Sequence, residues 1–270
     1  MITIHNGSFR ITTFPDGTQK INTHTYFEDP KFDIHWFFDN DGELITIYQL
    51  VEHFREMGME PNTLFMPYVP NARMDRVKYT DEVFTLKYFC KLVNSLGFRK
   101  VSILDPHSYV TEALIDRVDV QSPGKYIVNT LDNIKNNYGL NSEGLMLFFP
   151  DEGAMKRYSC NVNIPYAYGA KNRSWKTGEI QGLTIMGNRD DIFHKDILII
   201  DDICSRGGTF MHSAKALKEC GASRIFLYVT HCEDTIHDGE ILTSDLIRHV
   251  YTTNSIFRKI HEKVTVFDIE

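Results

Sequence analysis

Short apolar runs alternate along the chain with segments whose apolar residues return at helical spacing, an alternation that predicts an α/β fold. From Ile2 to Ile21 polar and apolar residues alternate around Phe14-Pro15-Asp16-Gly17, which predicts strands joined by a turn. Asp33 to Phe38 reads as a strand, Ile47, Leu50, Val51 and Phe54 give Leu44 to Met57 the pattern of a helix, and Asn62 to Pro67 reads as another strand. A helix from Thr80 to Leu96, capped by Thr80 or Asp81, and a strand from Lys100 to Leu104 complete a βαβαβ half. The Gly-, Asn- and Ser-containing stretch from Gln121 to Gly144 separates this half from a second round. That round comprises a strand at Leu145 to Phe149, a helix from Met155, strands at Ile164 to Tyr168 and Gly182 to Met186, and a strand and helix over Asp196 to Cys220. Further strands are expected at Arg224 to His231 and after Asp245 to Tyr251. The doubling predicts two doubly wound lobes, 1–125 and 126–270, with a cleft between them lined by strand ends.

Composition narrows the function classes. With 270 residues, 42% hydrophobic and 24% charged, the chain can bury one large core or two modest ones. A formal net charge of −7 gives no basic footprint for nucleic acid. There is no apolar run long enough for a membrane span and no export leader, so a cytoplasmic protein is expected. The cysteines Cys90, Cys160, Cys204, Cys220 and Cys232 lack C-x-x-C spacing and suggest neither a zinc site nor a disulfide framework. Most are expected to be reduced core thiols, and Cys204 stands near a helix N-terminus that could lower its pKa.

The richest chemistry lies in Asp196 to Thr209, DILIIDDICSRGGT. An apolar strand ends in Asp201 and Asp202 and passes through a Gly207-Gly208 turn to a helix whose first-turn amides would face an anion. Two carboxylates cannot bind phosphate. They suit the hydroxyls of a phosphorylated sugar, or a Mg²⁺ that travels with a second, polyphosphate ligand. An Asp-Asp pair before a Gly turn can also be no more than a capped helix start. A second cluster follows the strand at Asn62: Pro67-Tyr68-Val69-Pro70-Asn71-Ala72-Arg73-Met74-Asp75-Arg76 sets arginines beside an aspartate, and guanidinium forks bind phosphate bidentately.

The Asp201 segment resembles the fingerprint for 5-phosphoribosyl 1-diphosphate (PRPP) shared by phosphoribosyltransferases and ribose-phosphate diphosphokinases. The Arg73 segment resembles the Pro-Tyr-x-x-x-Ala-Arg-x-Asp-Arg pattern of the diphosphokinases (PRPP synthetases), which phosphoribosyltransferases lack. Phe14-Pro15-Asp16-Gly17, Asp105-Pro106-His107-Ser108 and Pro150-Asp151-Glu152-Gly153 resemble further segments of that family in the same order, so the resemblance spans about residues 10 to 266.

The resemblance implies phosphoribosyltransferase-like lobes, a nucleotide-binding 1–125 and a sugar-phosphate-binding 126–270. Phe14, Asp16, Arg73, Asp75 and Arg76 would hold ATP, the first two reaching from a neighbouring subunit. His107 and Asp151 would place a catalytic Mg²⁺. Lys171 and Arg173 resemble the family's catalytic Lys-x-Arg pair, Asp201 and Asp202 would orient the ribose hydroxyls, and Ser205, Arg206, Gly207, Gly208 and Thr209 would grip the 5-phosphate. A homo-oligomer, dimer or hexamer, is implied, with ATP and a 5-phosphorylated ribose as substrates.

Departures from the pattern matter too. The family loop runs Asp-Thr-Ala-Gly-Thr where this chain has Ser205-Arg206-Gly207-Gly208-Thr209, losing an acid and gaining a cation. That change would suit a larger acceptor such as ADP-ribose, giving ADP-ribose 1-diphosphate in NAD salvage. Thr18 replaces a family Glu, Met74 replaces a Gln, and the sequence stops near Glu270 without the family's final helix. A phosphoribosyltransferase and a non-catalytic regulatory paralogue are the remaining readings. The first has no use for Arg73 to Arg76, and the second would be expected to lose Lys171 and Arg173.

Overall fold

The computed structural model of the chain describes residues 1–5, 7–25, 30–139, 144–160, 163–173, 180–187 and 189–269. The chain divides into two compact units, Met1–Ser122 and Pro123–Glu270.

In the first unit the elements run β1 (Ile2–Ile4), β2 (Gly7–Thr13), β3 (Gln19–Thr25), β4 (Lys31–Trp36), α1 (Gly42–Glu56), β5 (Glu60–Phe65), α2 (Thr85–Ser95), β6 (Lys100–Leu104), α3 (Tyr109–Leu114) and β7 (Val118–Gln121). Among the described residues the main sheet has the order β1-β4-β5-β6-β7, with β4 to β7 parallel and β1 antiparallel on β4. Strands β2 and β3 form a separate antiparallel hairpin. Alternation in β4 buries Phe32, Ile34 and Trp36 against Ile47, Leu50, Val51 and Phe54 of α1. Each such side chain contributes about 1.5–3 kcal/mol on leaving water. The Trp36 indole keeps its donor satisfied on Glu43 Oε2 at 2.8 Å.

Helix α2 begins at Thr85, five residues after the expected Thr80. The Glu82 carboxylate accepts the Lys78 amide at 2.8 Å, so 78–82 closes into a turn of its own and neither Thr80 nor Asp81 caps a helix. From Leu86 onward, Phe89, Cys90 and Val93 supply the buried stripe that holds α2 to the sheet.

The second unit contains α4 (Gly124–Tyr138), β8 (Leu145–Phe149), α5 (Glu152–Tyr158), β9 (Tyr166–Arg173), β10 (Ile180–Met186), β11 (Asp196–Cys204), α6 (Gly208–Glu219), β12 (Ile225–Cys232), β13 (His249–Thr253) and β14 (Val264–Phe267). The order is β10-β9-β8-β11-β12-β13-β14, all parallel except β10. Successive strands are laid outward from β8 in both directions, so the order reverses between β8 and β11, the position where open α/β sheets hold ligands. Every residue of β12 is buried, as expected for a strand covered on both faces.

Two expectations are corrected here. The stretch expected only to separate the halves contains helix α4, ended by Gly139 at φ 67°. The strand expected to stop at the carboxylates continues past Asp201 and Asp202 to Cys204, held by parallel pairing of Ile203 with His231 and of Cys204 with Cys232. At the opposite end of β11, Asp196 is 4% exposed and held bidentately by Arg224, at 3.0 Å from Nε and 2.7 Å from Nη2. That pair anchors the strand away from the ligand side. All five cysteines are free thiols.

Candidate functional site

In the second unit the chemistry gathers where the sheet order reverses. β8 delivers Asp151 just after its last residue, Phe149, and Asp151 takes an extended backbone that caps α5 by accepting the Ala154 amide on Oδ1 at 3.0 Å. The adjacent β11 delivers Asp201 and Asp202. Asp202 is 3% exposed and receives Arg157 Nη2 of α5 on Oδ1 at 2.8 Å, while the same nitrogen is 3.7 Å from Asp201 Oδ1. The Arg157 guanidinium also lies over the Tyr158 ring, 5.0 Å from its centroid.

Asp201 is held differently from its neighbour. Its Oδ1 accepts the Asp202 amide at 2.9 Å. Desolvation by burial, the Asp202 charge and the Asp151 charge together push its carboxyl well above the ordinary value of 3.8. One acid of the pair is thus matched by a cation while the other is left costly to ionise, an arrangement that concentrates at functional sites. Hard carboxylate oxygens on Asp151 and Asp201, mutually repulsive, fit a magnesium ion better than a softer metal. Among the described residues no group of three or more His, Cys, Asp and Glu side chains forms a metal cage by itself.

The loop after β11 is shaped by glycine. Gly207 precedes α6 at φ 81°, and a Cβ there would lie 2.0 Å from Ile241 Cδ1. No side chain caps α6; the Phe210 and Met211 amides both donate to the Gly207 carbonyl at 3.0 Å, and the Gly208 and Thr209 amides precede them at the helix start, where an anion would meet them. Ser205 is half-buried, whereas Arg206, Gly208 and Thr209 are exposed. The loop is braced from outside: a Cβ at Gly239 would lie 2.0 Å from the Arg206 carbonyl oxygen.

Lys171 and Arg173 stand on β9. Register pairs Tyr168 with Phe149, the last residue of β8, and β9 then runs on to Arg173 paired only with β10. Lys171 and Arg173 therefore lie three and five positions past the end of β8 on its carboxyl side, roughly 10 and 17 Å along an extended strand. Their side chains lie outside the described residues.

In the first unit Arg73, Asp75 and Arg76 follow β5, and His107 follows the adjacent β6. Backbone bonds from Met66 to Ser102 and from Leu104 to Pro67 tie those two strand exits together, at 2.8 and 3.1 Å. Asp105, buried and at φ 43°, turns the chain into the His107 segment. Arg73 and Arg76 are exposed, and Arg76 Nε is 3.7 Å from Asp75. Phe14 and Asp16 sit elsewhere, at the exposed turn of the β2–β3 hairpin. Asp16 Oδ1 accepts the Thr18 hydroxyl at 2.7 Å and the Thr18 amide at 3.0 Å, which holds its carboxyl below the usual range. His107 and Asp151 belong to different units.

Sequence reasoning missed Arg157, Thr235 and Glu233. Arg157 could have been sought as the cation one short helix beyond Asp151. Thr235 and Glu233 carry no local signal, because only the pairing of β11 with β12 sets them beside Ser205.

A glycine turn at a helix N-terminus beside a carboxylate pair, on a parallel sheet at its reversal point, is the arrangement in which open α/β proteins hold phosphorylated ligands. A family model described as phosphoribosyl synthetase-associated domain matches residues 175–270. The ribose-phosphate pyrophosphokinase of Sulfolobus acidocaldarius is 25% identical over 262 residues, covering 95% of this chain and 87% of that protein. That of Pyrococcus abyssi is 27% identical over 263 residues, covering 96% and 87%. The crystal structure of phosphoribosylpyrophosphate synthetase from Mycobacterium smegmatis superposes with a TM-score of 0.76 at 19% identity, covering 97% of this chain and 86% of that one, a likeness of fold. This chain resembles the ribose-phosphate pyrophosphokinases along nearly its whole length. Among the described residues no helix is long and apolar enough to cross a membrane.

Proposed function

We propose that this chain is a ribose-phosphate diphosphokinase, transferring the β,γ-diphosphate of ATP to the anomeric hydroxyl of ribose 5-phosphate and releasing AMP. The observation that carries the reading is the β11 exit: Asp201 and Asp202, the Gly207 turn and the uncapped α6 N-terminus, in a chain that also has Arg73-Met74-Asp75-Arg76 at a strand exit. A transferase that consumes PRPP would use the first feature alone. The relatives' names point to the same reaction.

In this reading the first-turn amides of α6 and Thr209 bind the 5-phosphate. Asp202, held by Arg157, and Asp201 orient the ribose hydroxyls, while Arg73, Asp75 and Arg76 hold the nucleotide, with Phe14 and Asp16 supplied by a neighbouring copy. The anomeric oxygen attacks the β-phosphorus and gives up its proton to solvent, the bond from the β-phosphorus to the bridging oxygen of the α-phosphate breaks, and AMP departs with that oxygen. Charge spreads over the non-bridging oxygens of the transferred group, so Lys171 and Arg173 stabilise the transition state as cations. Asp151 would hold a magnesium ion whose chemistry would be to neutralise the polyphosphate. No covalent enzyme intermediate is involved.

The acceptor is the finer question. Arg206 is exposed beside the loop and could meet further phosphate, which keeps ADP-ribose as the second acceptor to assay. The test is AMP release from ATP and Mg²⁺ with ribose 5-phosphate and with ADP-ribose in parallel. AMP formed with ribose 5-phosphate is the expected result. Formation only with ADP-ribose would move the same chemistry to a nucleotide acceptor, and formation with neither overturns the proposal.

A further inference from the structure

Parallel pairing of β11 with β12 does not stop at Cys204 opposite Cys232, because the Glu233 amide donates to the Cys204 carbonyl at 2.8 Å. Ser205 and Glu233 therefore leave the sheet side by side. Thr235, in the short turn Asp234–Asp238, closes the gap: its Oγ1 donates to Glu233 Oε2 at 2.9 Å and lies 3.0 Å from Ser205 Oγ.

Counting protons gives this chain a direction. A carboxylate only accepts, and a threonine hydroxyl has a single proton, which Thr235 spends on Glu233. The bond between Thr235 and Ser205 must then take its proton from Ser205. Ser205 is left with lone pairs and no proton to offer outward. Phosphate oxygens require donors, whereas a sugar hydroxyl can donate.

Resting on the diphosphokinase reading, we infer that Glu233, acting through Thr235, fixes Ser205 as an acceptor for a ribose hydroxyl, leaving the 5-phosphate to the α6 amides and Thr209. Glu233 and Thr235 are positioning residues, and Ser205 touches the sugar. The acid absent from position 205 is supplied to the loop from the neighbouring strand end, one hydroxyl removed.

The variant Glu233→Gln tests the polarity, since a carboxamide can turn its N–H₂ toward Thr235, reverse the chain and make Ser205 an outward donor. Calorimetric titration with ribose 5-phosphate and with inorganic phosphate, without ATP or metal, reads the result. Ribose 5-phosphate should bind about tenfold more weakly to Glu233→Gln, the scale of one hydrogen bond, while inorganic phosphate binds unchanged or tighter. Ser205→Ala should show a similar loss, and the double variant no further loss. Thr235→Val should weaken sugar binding and Thr235→Ser restore it, which a misfolded Glu233→Gln protein could not obscure. Equal loss for both ligands, or additive losses in the double variant, would overturn the inference. If wild-type protein binds ribose 5-phosphate yet releases no AMP with either acceptor, the diphosphokinase reading fails while the polarity of Ser205 is still measured.

Discussion

Arg157 Nη2 sits 2.8 Å from Asp202 Oδ1 and 3.7 Å from Asp201 Oδ1, so a single guanidinium from α5 pairs closely with one of two adjacent carboxylates on β11 and loosely with the other. The Asp202 side chain is 4% exposed and that of Asp201 18%, so neither charge is well hydrated. Removing the cation takes the 2.8 Å ion pair away from a buried carboxylate.

Arg157→Leu should therefore destabilise the second unit by about 3 kcal/mol, the usual scale for breaking a buried pair from one side. Urea unfolding followed by a probe in that unit measures it. Arg157→Lys keeps a charge but not the planar fork, and should recover only part of the loss. A loss below about 0.5 kcal/mol for Arg157→Leu would show that the pair is worth no more than a surface one.

Asp201 predicts the opposite sign. Its folded-state pKa is raised by burial, by Asp202 and by Asp151, so folding favours the protonated form. Below the ordinary value of 3.8 the group costs nothing; as pH rises from there through the raised folded value, stability is progressively lost. Asp201→Asn removes that cost and should be more stable than wild type at neutral pH while losing turnover. The wild-type Tm should fall with rising pH relative to the variant's, and the two should converge in acid. Parallel curves would remove the assignment of the burden to Asp201.

The contrast between β11 and α4 shows what the sequence makes legible. In β11 an unbroken apolar run followed by carboxylates and glycines announces strand, turn and helix, and the structure moved only their bounds: the strand runs on to Cys204 and the helix begins at Gly208 rather than at the expected Phe210. Tyr126, Ile127, Thr130, Leu131 and Ile134 are buried at helical spacing in α4, yet Asn129, Asn133, Asn136 and Asn137 take four of the other positions. Asparagine competes for backbone hydrogen bonds and reads as loop, and here tertiary burial outweighs it. Glu82 hid the start of α2 in the same way, through a side chain that folds back on its own backbone. Arg157 and Glu233 escaped for a different reason. Arg157 meets Asp202 45 residues further on, and Glu233 reaches Ser205 only through Thr235, 30 residues from that serine, so spacing along one element carries no trace of either.

Asp151 caps α5, and substitution can separate that duty from its proposed magnesium role. As the N-cap of α5 it needs only an acceptor, so Asp151→Asn should keep stability within a few tenths of a kcal/mol, while Asp151→Ala should lose about 1 kcal/mol. A magnesium role needs the charge. Both variants should then require more Mg²⁺ for half-maximal AMP release, and Asp151→Asn should do so without a shift in unfolding midpoint. An unchanged Mg²⁺ requirement in Asp151→Asn would confine Asp151 to capping.

Lys171 offers the sharpest test of the transfer step. Its backbone lies past the end of β8, on a strand paired there only with β10. If its charge acts only as negative charge spreads during transfer, Lys171→Ala should lower kcat by at least ~10²–10³-fold, the scale of removing one preorganised donor. ATP affinity should change little if, as proposed, the ground-state contacts come from Arg73 to Arg76. Single-turnover AMP release and ATP titration separate the two. A variant that weakens ATP binding as much as it slows turnover would place Lys171 on the ground-state nucleotide, and one that turns over normally would remove it from the reaction.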